Sequence, residues 1–136
     1  MRLLTYQARH FAWQPFQKTV ESAPDTDETG SVNDAVVAWI HAETQDASDD
    51  ARVFRHALKH IKWIANKRGL KSVVLHFFAH LGGDSGAPEY AQDFIERLAE
   101  RLSNTGYDVH ITPFGYFCSW QLDVYGDSLA KVYKTI

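Results

Sequence analysis

Residues 72–88 read SVVLHFFAHLGGDSGAP. From Ser72 to Phe78 nearly every position is apolar, which is the pattern of a strand buried on both faces. The glycine-rich stretch LGGDSGA ends it. Pro88 then stands where a helix tolerates proline, in the first turn, whose N–H has no partner anyway. Ala91, Phe94, Ile95, Leu98, Ala99 and Leu102 follow as one stripe, and Asn104 and Gly106 close that helix. Upstream, Val53, Phe54, Ala57, Leu58, Ile61, Ile64 and Ala65 recur at helical spacing between a cap at Asp49 or Asp50 and a stop at Gly69. Two β-α-β passages predict right-handed crossovers onto a shared sheet, with both helices on one face.

The flanks supply the remaining strands. Residues 1–7 read as a strand, and a second extended piece is expected around His10–Phe16, ending near Pro15. Residues 21–32 (ESAPDTDETGSV) are polar and rich in turn formers and read as a loop. Residues 34–43 (DAVVAWIHAE) read as a buried strand. Residues 107–112 and 116–125 read as two more, joined through Pro113-Phe114-Gly115, and Leu129–Tyr133 reads as a short amphipathic segment with a helical turn. The order β(β)βαβαββ predicts an α/β fold, a mixed β-sheet with two main helices packed on one face. At 136 residues and 45% hydrophobic content, residues 1–136 are expected to form one domain. A single cysteine leaves no internal disulfide framework and no Cys-rich zinc site. The N-terminal MRLLTYQARHFAW, broken by Arg2, Gln7 and Arg9, has no signal-peptide core and no membrane-spanning run, so a soluble, cytoplasmic protein is expected.

Charge is unevenly distributed. Net charge is −3, yet residues 21–50 hold nine acids and no Lys or Arg, and residues 51–71 hold seven bases and no acid. A basic helix face of Arg55, Lys59, Lys62 and Lys67, with Trp63 as its exposed aromatic, is a candidate RNA contact; a solvated helix face is the plain alternative. Trp39 and Trp120 lie in strands and are expected in the core.

Several residues invite chemistry. Seven histidines raise the question of a metal. His56 and His60 are four apart on a helix, and His76 and His80 four apart on a strand, but no carboxylate stands beside either pair at an HExxH-like spacing, so no metal and no cofactor are expected. LGGDSGAP lacks both the P-loop lysine and the GxGxxG spacing. Cys118 and His80 together would make a thiolate–imidazole pair; the alternative for Cys118 is a small buried hydrophobe.

The ordered set FAHL (78–81), Pro88 with Ala91, Leu98, Leu102, Gly106, Val109, PFGY (113–116) and Gly126 with Leu129-Ala130, preceded by Glu43 and Asp46 in VVAWIHAETQD, resembles the editing domain of archaeal threonyl-tRNA synthetases. That resemblance implies the α/β fold shared with D-aminoacyl-tRNA deacylases, a homodimer, and hydrolysis of wrongly charged aminoacyl-tRNA. It implies that the tRNA 3′ end, an aminoacyl-adenosine, sits near Ala42, Ala79, Phe114, Gly115 and Tyr116, with His80 as the retained ionisable side chain. The chain departs from the family at the catalytic positions. Cys118 replaces the lysine of PFGYYK, Phe117 the tyrosine before it, Lys131 a glutamate, and Gln7 a histidine. Loss of the cation and reversal of the acid are not conservative, though Lys131 could restore the missing positive charge from another position. Three readings follow: an editing-type deacylase, a catalytically silent relative that binds RNA or a protein partner, or a small-molecule hydrolase using Cys118.

Overall fold

The computed structural model describes all 136 residues. β1 (Arg2–Lys18) and β2 (Gly30–His41) are antiparallel. α1 (Asp50–Asn66), β3 (Ser72–Phe77), α2 (Pro88–Asn104), β4 (Asp108–Ile111), β5 (Tyr116–Val124) and β6 (Lys131–Thr135) follow. Strand order is β4-β3-β2-β1-β5, with β6 also on β1. β2-β3 and β3-β4 are parallel and the other pairs antiparallel, so the sheet is mixed, as the sequence predicts.

The helices bury their stripes on one face. Val53, Ala57, Ile61 and Ile64 of α1 join Phe94, Ile95, Leu98 and Leu102 of α2 over Leu3, Val36, Ala38, Ile40, Val73 and Leu75. Asp49 stands at the N-cap of α1 without a capping bond. Its carboxylate pairs with Arg52, while Asp50 takes Arg97 and Tyr90. At the end of β2, the Met1 ammonium is buried between Glu43 (2.8 Å) and Asp46 (2.6 Å). Burial pushes the Glu43 carboxyl up, but Met1 and Arg2 more than offset this and hold it below the usual range.

Two elements differ from the sequence reading. The two expected N-terminal pieces are one strand of 17 residues. Pro15 is tolerated because β2 pairing stops at Trp13 and a bulge between Pro15 and Gln17 adjusts the β5 side. The C-terminal segment is a 3₁₀ turn at Ser128–Ala130 followed by a strand. β5 pairs with β1 only from Ala8 onward, so the edge at Arg2–Tyr6 is open and β6 fills it.

The second face of the sheet rolls up. Trp120 of β5 lies 4.5 Å from Trp39 of β2 and 5.2 Å from His76 of β3, ring centroid to centroid, although β1 separates these strands in the sheet. Trp13 likewise approaches His110 of β4 (6.4 Å). The roll encloses Ala8, Phe11, Trp13, Val32, Ala35, Val37 and Val74. Trp39 and Trp120 border this second core, half-buried, with their indole nitrogens sealed from solvent. Gly30 makes the roll possible. A Cβ there would stand 2.2 Å from the Trp13 ring, so the indole lies on bare backbone. Gly30→Val should therefore destabilise the protein by about 1–3 kcal/mol through overpacking, read as a lower urea midpoint.

Candidate functional site

The FAHL segment begins where β3 ends. The Phe78 amide donates to the Ile40 carbonyl (2.9 Å), and the Leu81 amide to Nδ1 of buried His41 (2.9 Å). With Nδ1 accepting, His41 Nε2 carries the proton and donates to the Asp84 carbonyl. The Asp84 carboxylate accepts the Thr44 amide (3.0 Å), and the Gly86 amide donates to the Ala42 carbonyl (2.8 Å). The glycine-rich loop is thus tied at several points to the end of β2. The amides of Ala79 and His80 have no acceptor within the protein.

The opposite wall is the start of β5. Gly115 has φ +80°, and its carbonyl accepts the amides of Thr19 (2.7 Å) and Val20 (3.3 Å). A Cβ at 115 would come within 2.9 Å of the Ala23 Cβ, so glycine is required for the turn. Tyr116 is fixed by its hydroxyl, which accepts the Thr26 amide and donates to the Pro24 carbonyl.

Between these walls lies a cleft of about 340 Å³. Of the residues expected from sequence, Ala79, His80, Tyr116, Phe117 and Cys118 line it together. Ala42 is buried and meets the cleft only through the bond of its carbonyl to Gly86. The remaining four do not line it. Phe114 packs on Phe77 (4.8 Å) at the edge of the helix-side core, and Gly115 is covered by Val20 and Ala23. Gln7 is buried under α1, where its Nε2 donates to the Ile64 carbonyl (2.8 Å) and its Oε1 accepts from Arg68. Lys131 stands exposed at the start of β6, opposite Tyr6, with Nζ toward the Gly126 carbonyl (3.4 Å), so it does not supply the cleft with a cation.

No Lys, Arg, Asp or Glu lines the cleft. Its polar groups are His76, His80, Cys118, Thr19, Ser85 and Tyr116. His80 is exposed, edge-on to Phe78 (5.3 Å) and facing Phe117 (6.4 Å). Cys118 makes no bond with His80; its Sγ–H donates to the Tyr116 carbonyl (4.0 Å), its side chain packs against the second core, and burial pushes the thiol pKa up. A nucleophilic thiolate needs the opposite shift. His76, which the sequence reading weighed only as a metal ligand, is buried and lines the cleft, with Nδ1 on Thr112 Oγ1 (2.7 Å). Burial lowers its pKa to about 4, so it is neutral at pH 7. Alternation along SVVLHFF places His76 on the face of Val74, which was the available signal.

Each histidine pair opens onto a shared hollow, His76 and His80 onto the cleft and His56 and His60 onto a hollow between α1 and β6, but in each pair one ring is buried on a threonine while the other is exposed. No group of three His, Cys, Asp or Glu side chains is placed to hold a metal ion. On α1, Arg55, Lys59 and Trp63 are exposed and Lys62 is half-buried; Lys67, at the helix C-cap, is exposed. No helix is long and apolar enough to cross a membrane.

Comparison with known proteins agrees with this architecture. The chain is 30% identical over 138 residues to the threonine–tRNA ligase of Thermofilum pendens, and 27% identical over 139 residues to that of Thermococcus kodakarensis. In both cases all of this chain aligns with 22% of the relative, so the chain spans about a fifth of their length. A solved structure, the c-Myc DNA unwinding element binding protein, superposes with a TM-score of 0.68 at 12% identity, covering 100% of this chain and 99% of that one. At that identity the likeness concerns the fold, and the fold is the D-aminoacyl-tRNA deacylase-like one expected from the sequence. The profile of the archaea-specific editing domain of threonyl-tRNA synthetase matches residues 1–136, from the first residue to the last, and the chain belongs to that family.

Proposed function

We propose that residues 1–136 act as a single editing-type domain that takes the aminoacyl-adenosine end of tRNA into the cleft and hydrolyses its ester. The observation that carries this reading is the meeting of the FAHL segment and the start of β5 across one cleft, with His80 at its exposed side. His80 orients the attacking water, and the free amides of Ala79 and His80 provide donors for the oxyanion that forms at the ester carbon. The absence of a lining carboxylate or cation means that the chemistry rests on one imidazole, backbone amides and the substrate's own hydroxyl groups. The same reading carries a homodimer and a cytoplasmic setting, the first checked by sedimentation.

A panel of mischarged tRNAs tests the proposal. At least one should lose its amino acid faster with the protein than without it. Binding across the panel with no turnover would replace this reading with that of a silent, RNA-binding relative.

A further inference from the structure

The fold does not treat its basic side chains alike. Arg2, Arg9, Lys18, Arg52, Arg68 and Arg97 each meet a carboxylate. Arg55, Lys59 and Lys62 of α1, Lys67 at its C-cap, Lys71, Arg101, Lys131 and Lys134 of β6 are in no ion pair. Two of the unpaired lysines come together. Lys59 and Lys134 close with His56, His60 and Trp63 around a hollow of about 340 Å³ between α1 and β6. Trp63 is 43% exposed there, whereas the other three tryptophans have their indole nitrogens sealed inside the protein. His60 forms an uncharged floor. It is buried against Thr5, and burial together with the nearby Lys134 lowers its pKa to about 4.

These features describe a surface for a polyanion with planar groups. An indole standing among ammonium groups is a stacking platform inside an electrostatic funnel, as single-stranded nucleic acid requires. Neither ammonium group of the hollow is neutralised by a carboxylate of this chain, so both are available to phosphate oxygens, which lysine binds as a compact point charge.

We propose that the α1–β6 hollow is a second RNA contact, in which Trp63 stacks on a base while Lys59 and Lys134 hold neighbouring phosphates of the tRNA whose 3′ end occupies the cleft. The proposal rests on the editing reading for the identity of the RNA, and on the hollow alone for the contact.

Affinity for an uncharged tRNA transcript and for its terminal CCA trinucleotide tests it, each measured across a salt series. Lys59→Glu with Lys134→Glu should weaken tRNA binding about tenfold or more, lower the salt slope by about two, and leave the trinucleotide unaffected. Trp63→Ala should weaken tRNA binding about fivefold with little change in slope. Lys59→Gln with Lys134→Gln should lose affinity in the same direction, which guards against an effect of charge reversal on folding. Unchanged tRNA affinity in both double variants, or an equal loss for the trinucleotide, overturns the proposal. Absence of trinucleotide binding alongside α1-dependent tRNA binding would sink the cleft reading and leave this contact standing.

Discussion

Between pH 7 and pH 5 the protein should lose about 4 kcal/mol of stability, and most of the loss should come from His60 and His76. Both rings are buried, and each has a folded pKa of about 4 against an unfolded value near 6.5. For His60 the cause is burial, reinforced by Lys134; for His76 it is burial alone. The folded state therefore binds fewer protons than the unfolded state between those two values, and protonation of the unfolded chain draws the equilibrium toward it as pH falls. Each unit of pH below 6.5 costs about 1.4 kcal/mol per histidine, so each contributes roughly 2 kcal/mol by pH 5. Below about pH 4 this dependence levels off. The low-lying carboxylates then take over, since Glu43 and Asp50 lose their partners only when protonated. Urea denaturation at pH 7, 6 and 5 measures the slope. His60→Gln should remove about half of it, whatever it does to stability at pH 7. A flat profile from pH 7 to 5 would mean that these rings are not held neutral.

The regular elements were legible in the sequence because local signals and burial agree along them. The stripe from Ala91 to Leu102 and the apolar run from Val73 to Phe77 have one stable placement each. What escaped was decided by distant partners. Val132, Tyr133 and Thr135 favour a strand, but five residues are too few to decide it alone; the segment becomes one because β5 leaves Arg2–Tyr6 of β1 unpaired. Nothing local unites 1–7 with 10–16 or carries the strand past Pro15, which requires that pairing with β2 has stopped by Trp13. The site was half legible for the same reason. FAHL and PFGY name two chain segments, and the fold brings Ala79, His80, Tyr116, Phe117 and Cys118 into one cleft. Gln7, Phe114, Gly115 and Lys131 were expected beside them by position in the family pattern, yet each is taken by a nearer structural partner. His76 was passed over because a histidine inside an apolar strand looks the same in sequence whether it faces a core or a cavity.

His80→Ala should lower deacylation of the preferred mischarged tRNA by about a hundredfold or more, the range typical for loss of a positioned acid–base group. The reasoning is by comparison within the cleft. With a pKa of about 4, His76 is too weak a base to take a proton efficiently at pH 7, and its Nδ1 is already committed to Thr112. Burial holds Cys118 as a thiol with no imidazole hydrogen-bonded to it. No carboxylate or lysine stands among the lining residues to replace the lost ring, and Lys131 is engaged near Gly126. His80 is therefore the one imidazole of the cleft that is open to solvent. Cys118→Ser separates the alternatives, because it keeps the size of the side chain and removes a thiol nucleophile. Under the His80 mechanism its rate falls far less than that of His80→Ala. Should Cys118→Ser be the more damaging change, with alkylation of the thiol abolishing turnover, the imidazole would be a partner to sulfur and the water-based mechanism would be wrong.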